Sequence, residues 1–304
     1  MRTSTIAQAK PRLLMRAAVR PAQHRYRGEL MPQPGAERIC SPAGMQRRPW
    51  LARLRRALAE ESFVLHYQPI VSLADGSVSH HEALVRLVDE PDGSVIGPAS
   101  FLPAAERYGL IREIDRMVLE KVATLLAGPA QERDGTSAPA QASSGIAMNL
   151  SALSVTDPEM LDHIERAFDR HGADPSRLVV EVTETASISD MGQAGAFCAG
   201  VERLGGAVAL DDFGAGFGSF HYLKHLPFSY LKIDGAFIRG LANSAHDQLV
   251  VRALVGLVRE MGQRTIAEFV GDQETLRLLR EYGVDYAQGF EVGRPSPRFA
   301  TATE

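Results

Sequence analysis

Apolar residues change their period along the chain. Trp50, Leu51, Leu54 and Leu58 recur at helical spacing with Arg53, Arg55 and Arg56 between them, which predicts a short amphipathic helix starting near Arg48. Phe63 to Val71 then alternates and is rich in Val, Ile and Tyr, Ala74-Asp75-Gly76 supplies a turn, and Val78 to Val88 runs extended again, so a β-hairpin is expected. Strand-like apolar runs follow at Gly145 to Leu150, Leu178 to Val182, Ala207 to Leu210, Tyr230 to Ile233, Thr265 to Ala267 and Val284 to Ala287, with helical patterns between most of them. Together with the hairpin these make eight strands. Such an alternation predicts an α/β fold, a TIM-like (βα)8 barrel with the first strand antiparallel to the rest. Ala127 to Ser144 breaks the pattern: Gly, Pro, Ala, Gln and Ser dominate it, and it reads as a flexible surface loop.

Composition narrows the class. The 304 residues suit one barrel of about 250 residues plus an extension. The chain lacks a run of 18 apolar residues, so no membrane-crossing helix is expected. Cys40 and Cys198 are too few for a disulfide framework or a thiolate metal cage, which fits a reducing cytoplasm, and the apolar neighbours of Cys198 predict a buried thiol.

The net charge of −4 hides an asymmetry. Residues 1–50 carry ten Lys/Arg against two Asp/Glu, and the remainder carries 23 against 35. The basic segment has no apolar core followed by a small-residue cleavage site, so a signal peptide is not expected. It could touch an anionic surface, but such biased segments are more often disordered, and that reading is preferred. The expected organisation is a disordered basic extension over 1–47, a catalytic domain over 48–298 and a short tail over 299–304, with no room for a sensory domain.

Candidate chemistry sits where the strands end. Asp211 and Asp212 close an apolar run and precede a glycine-rich loop, Phe213 to Ser219, so two adjacent carboxylates need a cation to stand together. A parallel barrel builds its active site at the C-terminal rim of the strands. Gln68 ends the first strand, Glu82 and Arg86 lie on the second, and Asn149 closes the third. Glu181 and Glu184 lie at the end of the fourth, Lys232 lies in the sixth, Glu268 ends the seventh and Gln288 follows the eighth. Carboxylates and an amide on one rim would repel without cations, and hard oxygen ligands select Mg²⁺ or Mn²⁺ over zinc. Two such ions form a clamp for in-line displacement at phosphorus. Lys232 fits as a water-orienting or charge-stabilising group and Arg86 as a phosphate or base contact, which points to a phosphodiester substrate.

The ordered set Glu82-Ala83-Leu84-Val85-Arg86, Asn149-Leu150-Ser151, Glu181-Val182-Thr183-Glu184, Asp211-Asp212-Phe213-Gly214-Ala215-Gly216, Leu231-Lys232-Ile233-Asp234, Ala267-Glu268 and Gln288-Gly289-Phe290 resembles the signature of EAL-domain cyclic di-GMP phosphodiesterases. A lone Glu-Ala-Leu would carry nothing, but seven motifs in order leave chance a negligible explanation. The resemblance runs from about Leu51 to Pro297 and implies a bacterial signalling enzyme that linearises cyclic di-GMP to pGpG. It implies two Mg²⁺ or Mn²⁺ ions, one held by Glu82, Asn149, Glu181 and Asp211, the other by Asp211, Asp212 and Glu268. Lys232, with Asp212 and Glu268, would form the catalytic group. Gln68, Leu84, Arg86 and Gln288 would contact the substrate, and Glu184 would brace the glycine-rich loop. A homodimer through that loop and a regulatory protein partner are also implied, with no DNA or RNA duplex as ligand.

Three positions depart from the family pattern. Gly271 stands where a second glutamate is common, Ala215 and Gly218 replace hydroxyl residues, and Leu87 replaces a frequent Trp. Loss of an outer-sphere carboxylate typically costs about 10- to 100-fold in metal affinity or activity. A weakly active or inactive domain that binds cyclic di-GMP or a protein is therefore the alternative. His80-His81 and the His221/His225 pair are read as packing or surface residues, and Asn149-Leu150-Ser151 as no glycosylation site.

Overall fold

The computed structural model describes residues 49–89, 93–128, 144–183, 188, 190–214 and 219–299. The basic extension over 1–47, most of the loop after Ala127, Glu184, Ala215 to Gly218 and residues 300–304 lie outside that set. Everything described falls within one unit, Glu37–Glu304.

The predicted hairpin forms, its first strand one residue longer than expected and its second at the expected bounds. β1 (Phe63–Ser72) pairs antiparallel with β2 (Val78–Val88) from Phe63↔Leu87 to Val71↔Val78. In its turn the Asp75 carboxylate accepts from the Ser77 N–H at 3.0 Å and hydroxyl at 2.8 Å, and Gly76 adopts φ 75°. A two-residue strand, β3 (Val95–Ile96), adds to the outer side of β2. The ladder then runs parallel from β2 through β4 (Gly145–Leu150), β5 (Leu178–Thr183), β6 (Ala207–Phe213), β7 (Tyr230–Ile233), β8 (Arg264–Ala267) and β9 (Tyr286–Ala287). β9 pairs antiparallel with β1 through Val71↔Ala287, so eight strands close a barrel in which β1 opposes both neighbours.

Two differences from the sequence pattern have local causes. β3 is too short to show a period, and it lies outside the eight-strand closure. β9 starts two residues later than expected because the Asp285 carboxylate takes the Thr265 N–H at 2.8 Å and its hydroxyl at 3.0 Å, in place of a ladder bond.

The helices are α1 (Pro49–Ala59), α2 (Pro98–Arg107), α3 (Ile111–Leu126), α4 (Ala152–Val155), α5 (Met160–His171), α6 (Met191–Arg203), α7 (Ser219–His225), α8 (Gly235–Ile238), α9 (Ala245–Glu260) and α10 (Gln273–Tyr282). Their apolar stripes cover the strands. In α9, Val251, Leu254, Val255 and Val258 form the buried i, i+3, i+4, i+7 face, and Ser244 caps its first turn by accepting from the Asp247 N–H. The main core fills the space between helices and sheet, while a small second cluster of Ala147, Val179 and Ala209 packs apart from it, with Tyr230 against it. Cys198 is buried in α6, as its neighbours predicted, and burial pushes its thiol up to about 12. The segment after β9 folds back on the hairpin: Tyr67 exchanges backbone hydrogen bonds with Ser296, and Phe299 stacks on Tyr67 at 4.3 Å.

His80 and His81 are both buried. His80 packs against Tyr230 and Tyr286, and His81 meets the Phe299 ring, so the packing role holds. His221 and His225 share one face of α7, their rings 4.4 Å apart.

Candidate active site

Strand register gathers the polar residues. Gln68 lies opposite Glu82 across the hairpin, Asn149 sits beside Glu181, and Asp211 ends the pairing of β5 with β6. Lys232, on β7, is 1% exposed and lies among four carboxylates. Its Nζ is 2.8 Å from Glu181 Oε2, 2.9 Å from Glu268 Oε1, 3.0 Å from Asp211 Oδ1 and 3.6 Å from Glu82 Oε2. A buried ion pair forms only when the partner charges offset desolvation, and here several partners share one ammonium.

The electrostatics follow from that imbalance. Burial opposes the charge on Lys232, but Asp211, Glu181, Glu268 and Glu82 together hold its pKa well above the ordinary value. Burial also lifts Glu82, yet Lys232 and donated hydrogen bonds from Gln288 and Asn149 bring it below the usual carboxylate range. Burial and the Glu82 charge push Glu181 well above that range. Glu268 is pushed up to about 8 by burial, with Lys232 opposing and Asp211 adding, and Asp212 to about 6 by burial and the adjacent Asp211. A single ammonium cannot neutralise this cluster.

Backbone geometry explains how two consecutive aspartates share the rim. Neighbouring strand residues normally point to opposite faces. Asp212 adopts φ 55°, and the pairing of β6 with β7 slips between Leu210 and Phe213. Left-handed backbone at a non-glycine residue is uncommon and clusters at functional sites. Oxygens of Asp211, Asp212 and Glu268 consequently lie within 4.8 Å of one another.

The remaining predicted residues surround the cluster. Gln288 donates to Glu82 Oε2 at 2.6 Å and to Gln68 Oε1 at 3.3 Å, and Gln68 donates to the Gly293 carbonyl at 3.0 Å. Asn149 donates to Glu82 Oε1 at 2.6 Å. Leu84 and Arg86 line a cavity of about 620 Å³ whose wall also includes Glu82, Asp211, Asp212 and Glu268, and Arg86 donates to the Val85 carbonyl.

A family profile for the EAL domain matches residues 51–295. The chain belongs to the EAL domain family. Over 252 residues it is 36% identical to the cyclic di-GMP phosphodiesterase PdeB of Shewanella oneidensis, covering 82% of this chain and 28% of that protein. Over 247 residues it is 38% identical to the bifunctional diguanylate cyclase/cyclic di-GMP phosphodiesterase MucR of Pseudomonas aeruginosa, covering 80% of this chain and 34% of that one. The chain thus spans about a third or less of those relatives. A solved PaMucR phosphodiesterase in complex with c-di-GMP has 36% identity and a TM-score of 0.72, covering 82% of this chain and 97% of that one. A FimX EAL domain from Pseudomonas aeruginosa bound to c-di-GMP has 31% identity and a TM-score of 0.74, covering 83% and 98%.

Sequence reasoning missed part of this EAL domain's site. Phe269, Arg239 and Phe290 also line the cavity, and all three are exposed. Phe290 stands in the Gln288-Gly289-Phe290 motif with no role drawn from it, and Phe269 and Arg239 stand on connections whose course the strand pattern leaves open. Asp115, on α3, was also missed: its Oδ2 accepts from the Ser151 N–H at 3.1 Å and from the Ser151 and Ser154 hydroxyls at 2.6 Å, bracing the turn that follows Asn149.

Proposed function

We propose that this EAL domain hydrolyses cyclic di-GMP to linear pGpG with two Mg²⁺ or Mn²⁺ ions. The observation that carries the reading is a pair of orphaned buried atoms: Glu181 Oε1 and Glu268 Oε2 have no hydrogen-bond partner, inside a cluster already short of positive charge. Buried polar atoms are rarely left unpaired, and hard cations take such oxygens. Glu82, Asn149, Glu181 and Asp211 would hold the first ion, and Asp211, Asp212 and Glu268 the second. The ions would supply a nucleophile from water near neutral pH and neutralise charge on the phosphoryl group.

The chain's own groups do the rest. Lys232, kept protonated by its neighbours, donates hydrogen bonds that orient the attacking water and counter developing negative charge. Arg86 is among the residues that line the cavity, and a guanidinium fork suits a phosphodiester. Gln68, Leu84 and Gln288 shape the substrate wall. The enzyme acts as a cytoplasmic homodimer open to a regulatory partner, with residues 1–47 and 299–304 flanking the catalytic unit.

Gly271 favours a second reading, a domain that binds the nucleotide and turns it over slowly. Incubation of the full chain with cyclic di-GMP and Mn²⁺ or Mg²⁺ separates the two: pGpG release supports the enzyme, and tight binding without pGpG supports the receptor.

A further inference from the structure

We propose that Phe269 and Arg239 form a base-reading platform on the rim, selecting the purine of the substrate; the idea rests on the cavity being a cyclic dinucleotide site. Phe269 immediately follows Glu268, and both platform residues line the cavity that holds Asp212 and Glu268. Phe269 is 51% exposed, so core packing does not account for it. The ring is nevertheless held at some expense. Phe269 adopts φ 54°, an outlier for a bulky residue, and a Cβ at Gly235 would lie 2.4 Å from its Cδ2, so only glycine there leaves the ring room.

The Arg239 guanidinium lies 4.0 Å from the centroid of that ring. Among the described residues no carboxylate pairs with it. This cation–π contact fixes where the guanidinium sits beside the ring while leaving N–H groups available, an arrangement that prepares both a π surface and a donor pair. A phenyl face stacks on any base. A guanidinium fork is selective, because guanine offers the O6 and N7 acceptors together, whereas adenine places an amino donor beside N7. Phe269 therefore supplies base affinity and Arg239 supplies the preference for guanine.

The test compares kcat/KM of the full chain with Mn²⁺ on cyclic di-GMP, cyclic di-AMP and bis(p-nitrophenyl) phosphate, a phosphodiester without a purine. Phe269→Gly removes the ring and suits the left-handed backbone, so it folds. It should lower kcat/KM on both cyclic dinucleotides by about 10- to 100-fold, chiefly through KM, with a loss at least about tenfold smaller on bis(p-nitrophenyl) phosphate. Phe269→Tyr should restore most of it. Arg239→Ala should reduce the cyclic di-GMP to cyclic di-AMP ratio by about tenfold or more. Equal losses on all three substrates for Phe269→Gly, or an unchanged ratio for Arg239→Ala, overturn the platform while leaving the phosphodiesterase reading intact. Should the chain bind cyclic di-GMP without cleaving it, dissociation constants for the two dinucleotides replace kcat/KM with the same expected ratios. A chain that neither cleaves nor binds the nucleotide removes the cavity reading and the platform with it.

Discussion

On the side of the rim built by β2 and β4 the polar groups are cross-tied by hydrogen bonds, whereas on the side built by β5, β6 and β8 the carboxylates have the Lys232 ammonium as their main charge partner. Glu82 receives hydrogen bonds from Asn149 and Gln288, both at 2.6 Å, and the turn after Asn149 is pinned to Asp115. Opposite, Asp212 and Phe269 adopt left-handed backbone, burial raises the pKa values of Glu181, Asp212 and Glu268, and Gly271 contributes no side chain. The first side is organised before any cation arrives. The second depends on a cation or a proton for its charge balance, so pH and metal supply should act there first.

The largest effect should come from the group that serves both sides. Lys232→Met leaves Glu82, Glu181, Asp211 and Glu268 facing one another, and is expected to lower turnover by about 10²- to 10³-fold. Breaking one partner of a buried ion cluster should also destabilise the metal-free protein by about 3–5 kcal/mol. Melting with and without Mn²⁺ checks this, with the ion recovering part of the loss; an unchanged melt would mean the ammonium is not the cluster's main support.

Gly271→Glu should strengthen the weaker side. A Cβ at that position meets only the Phe269 carbonyl oxygen, at 3.9 Å, so the longer side chain has room. Activity at limiting metal is expected to rise by about tenfold, and a flat response in a Mn²⁺ titration would remove Gly271 as the cause of any weakness.

A smaller effect is a pH dependence of the metal-free protein. Burial raises Glu268 from 4.5 to about 8 and Asp212 from 3.8 to about 6, so the folded chain binds these protons more tightly than the unfolded one. Their contribution is complete below the unfolded values near 4 and is lost as pH rises toward 8. Melting temperature without metal should therefore fall between pH 5.5 and about pH 8, and Mn²⁺ should reverse the fall by replacing the protons. A melting temperature that is constant across that range would contradict the assignment.

The smallest change tests the cross-tied side. Ser154→Ala removes one of three hydrogen bonds to Asp115 Oδ2 and should cost about 1 kcal/mol of stability with little change in metal affinity. A tenfold loss of affinity in calorimetry would show that the first side has less reserve than its hydrogen bonds suggest.

Much of this molecule is legible because parallel strands buried on both faces read as short apolar runs, and each run ends on the residue it presents. Val78 to Val88 and Tyr230 to Ile233 match the strands to the residue, and Glu82 and Lys232 stand where those runs carry them. What the pattern hides is conformation set by context. Nothing in Asp211-Asp212 announces a left-handed second residue, since aspartate tolerates that backbone without requiring it. The Phe269 ring owes its position to Gly235, 34 positions earlier in the chain, and such a clearance exists only once β7 and β8 are side by side. Gly271 was visible as a departure, but the open space around it was not.

The fold-back after β9 has a practical meaning for anyone adding a reporter to this barrel. Gly293 abuts Pro69 so closely that a Cβ would lie 2.3 Å from its Cγ, and its carbonyl holds the amide of Gln68. Ser296 zips to Tyr67, and Phe299 lies on the Tyr67 ring. Gln68 in turn accepts from Gln288, which donates to Glu82, so a tug or a cut in residues 293–299 would travel along three side chains to the acidic floor. Those residues are better treated as a stave of the barrel than as spare chain, and any graft belongs beyond Phe299.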